Sequence, residues 1–253
     1  MSQIRLAHII RHPIKSVGFQ EIERAALTKG RTLPFDRLWA IATEAAGYSA
    51  DQVPWAPKMA FLRGAASGHL QAIKAAFDET SGAITLTHPD QPAFHGVLPN
   101  DGQDLIAWLR PLWPATRPAP ARLVQRDDGG ALSDVPEPYV SILSTKSNSI
   151  LGKRMGRALS VHRSRGNLWL DGLAPWEEFD LIDRDLQIGT AQFRVEARIT
   201  RCAATTFDPE TGARAGDTLT ALNQGWGHQD FGVYARVTVS GAIALDDEVT
   251  ILP

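Results

Sequence analysis

The sequence of 253 residues predicts a mainly β, α+β fold with a few helices. Short apolar and β-branched stretches recur along the chain, and Gly, Asp or Asn turns separate them. The 21 Gly and 16 Pro residues are typical of a chain with many turns, and 43% hydrophobic residues suffice for a buried core. Segments with helical periodicity are too few to alternate with the strands. Barrels or strongly bent sheets are therefore expected rather than βαβ units.

In the first half, a hairpin and one helix are the clearest elements. The turn-forming residues Asp78–Gly82 connect two predicted strands. The helix is predicted over Gln103–Arg110, with Asn100 or Asp101 as the cap and Pro111 as the stop. The strands predicted in this half are Ile4–Ile10, Ile22–Leu27, Leu38–Thr43, Leu70–Ile73 and Ala83–Thr87.

A proline-rich segment marks the middle of the chain. Four prolines lie between Pro111 and Pro120, and they disfavour both a helix and a central strand. We interpret this segment as a linker, which divides the chain into parts at 1–115 and 116–253.

In the second half, Ser144 is predicted to cap a helix that carries Ile150, Leu151 and Met155 on its apolar face. The rest is expected to be β structure. The predicted strands are Arg122–Gln125, Val140–Leu143, Leu168–Leu170, Leu186–Ile188, Gln192–Ala197, Gly232–Val239 and Glu248–Leu252.

Composition excludes several classes of function. With 26 basic and 28 acidic residues the formal charge is −2, so neither a nucleic acid polymer nor a membrane surface is expected as a partner. No segment resembles a signal peptide or approaches 18 consecutive apolar residues, which predicts a soluble, cytoplasmic protein. Phosphate-loop, dinucleotide-binding, GxSxG and HExxH motifs are absent from the sequence.

The single cysteine, Cys202, excludes an intrachain disulfide and a cysteine-rich zinc or iron–sulfur site. A lone cysteine is either a small buried hydrophobe or a reactive group. The adjacent Arg201 favours the thiolate, which binds metals or acts as a nucleophile, and the turn residues Asp208–Gly212 place it near a loop.

Two arginines form a second candidate site. Arg163 and Arg165 enter a predicted strand, where alternate residues point to the same side. Two parallel guanidinium groups bind phosphate or another anion, whereas the alternative is a pair of exposed surface arginines.

Six short motifs occur in one order along nearly the whole chain. They are His12–Ser16, Phe35–Arg37, Ser133–Asp134, Arg163–Asn167, Arg201–Cys202 with Asp208–Gly212, and Phe231–Val237. Together they resemble the MOSC superfamily, in its version with a MOSC-associated N-terminal β-barrel domain. The resemblance implies an N-terminal β-barrel-like domain at 1–115 and a MOSC β-barrel domain at 116–253.

The resemblance also implies a molybdopterin-type molybdenum cofactor. In this respect the chain resembles the amidoxime-reducing components and the bacterial hydroxylaminopurine-reducing proteins. A cysteine at the position of Cys202 binds molybdenum in those relatives, and Tyr234 matches a tyrosine that lines the site. The residues matched to cofactor contacts are Lys15, Ser16, Arg37, Arg165, Asn167, Thr200 and Arg201, and Arg163 joins them through the predicted arginine pair.

Three positions depart from the family pattern. His12 replaces a tyrosine that relatives commonly have, Gly166 replaces a proline, and the region Ala46–Lys58 lacks an arginine. Glycine gives its loop more conformational freedom, and the missing arginine puts one cofactor contact in question.

Three functions remain open at this point. The first is reduction of N-hydroxylated small molecules, with Tyr234 or Asp208 handling protons. Electrons would come from a separate ferredoxin- or cytochrome-type protein, because one cysteine cannot build an internal iron–sulfur relay. The second is sulfur transfer, in which Cys202 carries a persulfide received from a desulfurase; pyridoxal phosphate is not expected on this chain. The third is a cofactor carrier without turnover. A hydrolase using Cys202 with His228 and Asp208 or Asp230 has no spacing that supports it.

Overall fold

The structure is a computed structural model that describes residues 3–253. The predicted mainly β class with a few helices is confirmed. Three α-helices, α1 to α3, span Gly102–Leu109, Thr145–Arg154 and Thr218–Trp226. The strands, β1 to β16 in chain order, are Arg5–Arg11, Gln20–Ile22, Arg24–Leu27, Trp39–Thr43, Gln52–Val53, Lys74–Phe77, Ala83–His88, Gln91–Val97, Pro120–Arg126, Val140–Ser144, Leu168–Asp171, Asp185–Ile188, Ala191–Thr200, Asp230–Val239, Gly241–Ala244 and Val249–Ile251.

One eight-stranded sheet dominates the molecule, in the order β16-β12-β13-β14-β10-β11-β1-β2. It buries a cluster of apolar side chains, including Leu6, Ile142, Phe193 and Val233. The ladder is open between β16 and β2, but an isolated bridge between Arg5 and Glu248 brings β1 next to the start of β16. The sheet is therefore strongly bent, as expected, without a closed ladder in the described residues.

The remaining strands form smaller sheets in the orders β4-β9-β5, β6-β7-β8 and β15-β3. A second apolar core lies here, and α1 adds Leu105, Ile106 and Leu109 to it. Strand pairing crosses the predicted division at 115/116, since β1 and β2 lie in the large sheet whereas β9 pairs with β4 and β5. The division itself stays a prediction.

The hairpin around Asp78–Gly82 is present, but its first strand is β6 and not the predicted Leu70–Ile73. Gly68–Ala72 forms a 3-10 helix whose apolar residues Leu70 and Ala72 are buried. The short apolar run suited both conformations, and tertiary packing selected the helical one. The structure also adds β8, β15 and α3, which have no counterpart among the predicted elements.

The proline-rich segment is packed rather than extended as a free linker. Trp113 is buried, and the carbonyl of Leu112 accepts a hydrogen bond from the Ser67 hydroxyl at 2.7 Å. Pro120 opens β9, which is the central strand of its sheet. A proline is tolerated as the first residue of a strand, so the prediction that this segment blocks a central strand was wrong at its last residue.

The predicted cap of α2 is confirmed, since the Ser144 hydroxyl accepts a hydrogen bond from the Ser147 amide. Helix α2 packs on β10 and on β11, the strand that directly follows the Arg163–Asn167 motif. In the part of the chain that the structure describes, no helix is long and apolar enough to cross a membrane.

Candidate functional site

Four of the predicted cationic residues lie together where the large sheet meets the N-terminal strands. They are Lys15, Arg37, Arg165 and Arg201, and the charge of Arg37 acts on each of the other three. Lys15 is almost fully buried and the other three are partly buried. The structure thus brings together residues that are up to 186 positions apart in the sequence.

Lys15 is placed by the turn that follows β1. Its amide donates to the carbonyl of Trp39 at 2.7 Å, which joins this turn to β4. Its Nζ donates to Oδ1 of Asp134 at 2.5 Å. Burial lowers the pKa of Lys15, and Asp134 opposes that shift. The ammonium group is therefore held as a charged group by a single carboxylate.

Asp36 connects the cluster to β1. Its Oδ1 accepts a hydrogen bond from the backbone amide of His12 at 2.8 Å and lies 3.3 Å from His12 Nδ1, while Oδ2 pairs with Arg37. Arg37 then donates through Nη2 to the carbonyl of Arg165 at 2.9 Å. Burial opposes ionisation of Asp36, but Arg37 and the bonds from His12 hold its pKa well below the usual value.

Backbone strain concentrates at the same residues. Seven non-glycine residues of the described chain have a left-handed φ, and four of them belong to the site motifs: Ser16, Phe35, Arg37 and Arg165, with φ of 64°, 60°, 51° and 49°. Each such conformation costs about 1 kcal/mol or more, and such residues cluster at functional sites.

Arg201 and Cys202 follow the end of β13. The Arg201 guanidinium donates to the carbonyl of Phe231, and its Nη1 donates to the carbonyl of Ser164 at 2.8 Å. Cys202 precedes a 3-10 helix over Ala203–Thr206, and its carbonyl accepts the Thr205 amide at 3.1 Å. Cys202 is partly exposed, which favours a reactive or ligating thiol over a buried hydrophobe.

Tyr234 lies on β14 beside this pair. Its ring stacks on Tyr139, with ring centroids 5.0 Å apart. Burial raises the pKa of the Tyr234 phenol, whereas the charge of Arg201 lowers it. Burial likewise lowers the pKa of Arg201 to about 10, against the influence of Tyr234 and Cys202. Tyr234, Arg201 and Cys202 therefore form one electrostatic group.

Unsatisfied atoms show what kind of ligand fits. Nη2 of Arg165 and Nε2 of His12 are buried, and neither has a hydrogen-bond partner in residues 3–253. Burial and the neighbouring Arg165 and Arg37 hold the pKa of His12 well below its usual value, so its ring is neutral. Asp36 and Asp134 compensate two of the four positive charges, and the buried Glu178 acts on Arg201 alone. An excess of positive charge with an open guanidinium nitrogen suits a phosphate-bearing polar ligand.

Arg163 does not pair with Arg165 as predicted. Val161–Ser164 is a 3-10 helix and Arg165 is left-handed, so the two side chains do not alternate along a strand. Arg163 is buried, and its guanidinium donates to the carbonyls of Thr205 and Ala215 at 3.2 and 3.3 Å. The strand prediction was wrong here because the strand, β11, begins only at Leu168, after the 3-10 helix and the left-handed Arg165.

Three other predicted residues have side chains engaged within the protein. Asn167 is buried, accepts the Ser141 amide and hydroxyl, and donates to the carbonyl of Ile10 at 3.1 Å. Thr200 donates to Asp230 at 2.6 Å. Asp208 accepts the Glu210 amide at 2.8 Å and closes the loop beyond Cys202. Their proposed cofactor or proton roles stay predictions, and these bonds give each of them a structural role.

The sequence reasoning missed three residues that complete the site. Asp36 and Asp134 lie within two of the six motifs, and each is paired with a cation of the cluster. The available signal was local. Asp36 directly precedes Arg37, and Asp134 belongs to the Ser133–Asp134 motif. Gln71 also contacts the cluster, through Arg165 Nη1 at 3.5 Å, and no motif marks it.

Glu178 is a completely buried carboxyl that acts on Arg201. Its Oε2 accepts the Ser147 hydroxyl at 2.7 Å, while Oε1 has no partner among the residues described. Burial raises the pKa of Glu178 from 4.5 to about 6, against the Ser147 hydrogen bond.

We expect Glu178→Gln to remove a pH-dependent loss of stability. Between pH 4.5 and about 6 the native protein holds a proton that the unfolded chain has released. The contribution of Glu178 to the free energy of unfolding therefore falls as pH rises through this window, by about 2 kcal/mol in total. In urea unfolding from pH 4 to 8, the stability of Glu178→Gln relative to wild type should therefore rise through this window, which makes the variant the more stable protein at pH 7. Glu23→Gln, at an exposed site, should follow the wild-type curve; a parallel curve for Glu178→Gln would contradict the expectation.

Two further features do not join the cluster. Ligand atoms of His69, His88 and Asp90 lie within 4.8 Å of one another. However, His88 Nδ1 accepts the Asp90 amide at 3.1 Å, which leaves the proton of a neutral ring on Nε2 and no lone pair for a metal.

A cavity of about 440 Å³ borders Asp36, but neither Cys202 nor Arg165 lines it.

Comparisons with known proteins give two family matches. Residues 3–107 match the model of the MOSC N-terminal beta barrel domain, and residues 130–250 match the MOSC domain. A protein named molybdenum cofactor sulfurase from Anopheles gambiae is 39% identical over 75 residues, which is 29% of this chain and 10% of that protein.

Two solved structures are also similar. The YUAD protein from Bacillus subtilis matches 98% of this chain and 97% of its own, with 11% identity and a TM-score of 0.46. YiiM from Geobacillus stearothermophilus matches 45% of this chain and 54% of its own, with 20% identity and a TM-score of 0.37.

Proposed function

Because the chain belongs to the MOSC family, with a MOSC N-terminal beta barrel domain followed by a MOSC domain, we propose that it binds a molybdenum cofactor and reduces N-hydroxylated small molecules. Family membership connects the chain with molybdenum cofactor chemistry in general. The substrate class, the role of Cys202 and the electron source are our proposal.

The observation that carries the proposal is the cluster of buried cations next to a partly exposed thiol. Lys15, Arg37 and Arg165 offer donors to a phosphate, and Nη2 of Arg165 is without a partner in the described chain. Cys202 offers a soft anionic ligand within the same group. A molybdopterin-type cofactor combines these two needs, since it bears a phosphate and a metal that binds sulfur.

In this proposal each residue of the site has a defined role. Lys15, Arg37 and Arg165 bind the phosphate end, and Cys202 ligates the metal. When bound, the cofactor supplies the two-electron chemistry, while the protein supplies position and electrostatics. Arg201 holds its guanidinium against two backbone carbonyls and places its positive charge near Cys202.

Tyr234 is proposed to hold a proton for the reaction. Its phenol is protonated at neutral pH, as an ordinary tyrosine is, and burial raises its pKa further. Reduction of an N-hydroxyl group to the amine consumes two electrons and two protons and releases water. Tyr234 therefore fits as one donor, whereas Asp208 is bound to the Glu210 amide and to Arg163. A separate ferredoxin- or cytochrome-type protein is proposed as the electron source.

The exposure of Cys202 also favours a second candidate, sulfur transfer. A partly exposed thiolate beside Arg201 suits a persulfide received from a desulfurase. The partial likeness to a protein named molybdenum cofactor sulfurase agrees with this candidate. A cofactor carrier without turnover would use the same cation cluster.

One experiment separates these functions. Protein from a host that makes the pterin cofactor is incubated with an aromatic amidoxime or an N-hydroxylated purine and an excess of reduced viologen dye. We expect the amidine from the amidoxime or the aminopurine from the N-hydroxylated purine, at a rate that requires the protein. Stoichiometric molybdenum without either reduction product would point to the carrier. A molybdenum-free protein whose mass exceeds the sequence by one sulfur atom would point to sulfur transfer.

A further inference from the structure

A short 3-10 helix of the N-terminal part, Gly68–Ala72, packs directly on the loop that follows Cys202. A Cβ added to Gly68 would lie 2.0 Å from the carbonyl oxygen of Gly212 and 2.4 Å from the Phe207 ring. A Cβ added to Gly212 would lie 3.0 Å from the Cα of His69. The two backbones are therefore in contact, and no side chain fits between them.

Gln71 extends this contact to the loop after Cys202 and to the cation cluster. Its side chain is buried, with 2% exposure. Nε2 donates to the carbonyl of Ala204, two residues beyond Cys202, at 3.2 Å. Oε1 faces Nη1 of Arg165 at 3.5 Å. One side chain thus joins the thiol-bearing loop to the cation cluster.

We propose that Gln71 is a positioning residue, which holds the Cys202 loop in a fixed relation to Arg165. A primary amide suits this place because one end donates to a carbonyl and the other accepts from a guanidinium. The catalytic consequence rests on the function proposed above, in which Cys202 and Arg165 hold two ends of one ligand. The mechanical role does not rest on it.

In residues 3–253 no strand pairs with Ala203 or Ala204, whereas Arg163 and Thr218 hold the next residue, Thr205. Cys202 lies beyond the last paired residue of β13, Thr200, and Ala203–Thr206 is a single 3-10 turn. Besides the Gln71 amide, the carbonyl of Ala204 accepts the Phe207 amide at 3.3 Å. An ion pair between Lys74 and Glu210 at 2.8 Å is exposed on both sides and adds little.

The single cysteine makes the proposal testable on the cofactor-free protein. The rate of iodoacetamide alkylation reports Cys202 alone, since the chain has no other thiol. Gln71→Met keeps the size of the side chain and removes both polar contacts. We expect alkylation about fivefold faster than in wild type, the change in population that loss of one hydrogen bond produces. Gln187→Met is the matched control, because Gln187 also donates to a backbone carbonyl, that of Gly189, but at the exposed position of β12.

Hydrogen exchange gives a second measurement. Gln71→Glu keeps the acceptor near Arg165 and loses the donor to Ala204, and its charge would change thiol ionisation. For this variant, amide exchange over residues 203–207 is read, and we expect it to be about fivefold faster. Alkylation and exchange rates within twofold of wild type in both variants would overturn the proposal. Faster rates in a protein that never acquires molybdenum would uphold the role of Gln71 and refute the proposed function instead.

Discussion

Cys202→Ser should retain less than about a tenth of the molybdenum that wild-type protein acquires in a host that makes the pterin cofactor. A serine hydroxyl has nearly the same shape as the thiol, but it is a hard ligand that stays protonated at neutral pH. Cys202 is partly exposed and no side-chain hydrogen bond of its sulfur is seen in the described residues. Its replacement should therefore leave the fold intact. Elemental analysis of both proteins, with circular dichroism to compare folding, measures the effect.

Ala203→Ser is the matched control for Cys202→Ser. It adds a hydroxyl to the next residue of the same 3-10 turn and leaves the thiol in place. We expect near wild-type molybdenum in this variant. Equal molybdenum in wild type and Cys202→Ser would show that the thiol is no ligand, and the sulfur-carrier function would then gain support.

Arg165→Met should lower cofactor retention by about tenfold or more, because it removes charge-assisted hydrogen bonds to the phosphate. The same change should stabilise the cofactor-free protein. Burial and the nearby charge of Arg37 lower the pKa of Arg165 to about 9, so the protein's own groups compensate this charge poorly. Replacing a poorly compensated buried charge with an apolar side chain is often stabilising, here by about 1 kcal/mol or more.

Lower cofactor retention together with higher stability of the cofactor-free protein distinguishes a binding residue from a structural one. Pterin released from purified protein is measured by fluorescence, and urea unfolding is measured on protein from a host without the cofactor. Methionine keeps the unbranched side chain at a residue with φ of 49°, so backbone strain is nearly unchanged. Arg24→Met, at an exposed arginine of β3, should alter neither quantity. Undiminished pterin together with a less stable protein would show that Arg165 is a structural residue.

Local signals in the sequence were sufficient for much of the fold. The Ser144 cap and the Asp78–Gly82 turn are set by neighbouring residues, and both are present as predicted. Leu70–Ile73 failed because a run of four residues, three of them apolar, suits a strand or a helix equally, and only tertiary packing, with Leu70 buried, selected one. The pairing of β9 between β4 and β5 brings together residues about 80 positions apart, which no local pattern encodes.

For the site, the residues that carry the proposed chemistry can be identified from the sequence. One thiol, the basic residues and the order of motifs that indicate the MOSC family are properties of residue types and their spacing. Which of these residues meet is a property of the folded chain. Folding separates Arg163 from Arg165, commits Asn167 to Ser141 and Ile10, and brings Gln71 and Asp134 to the cations. The physical reason is that burial, charge compensation and hydrogen-bond partners come from segments far apart in the chain, and their contacts exist only after folding.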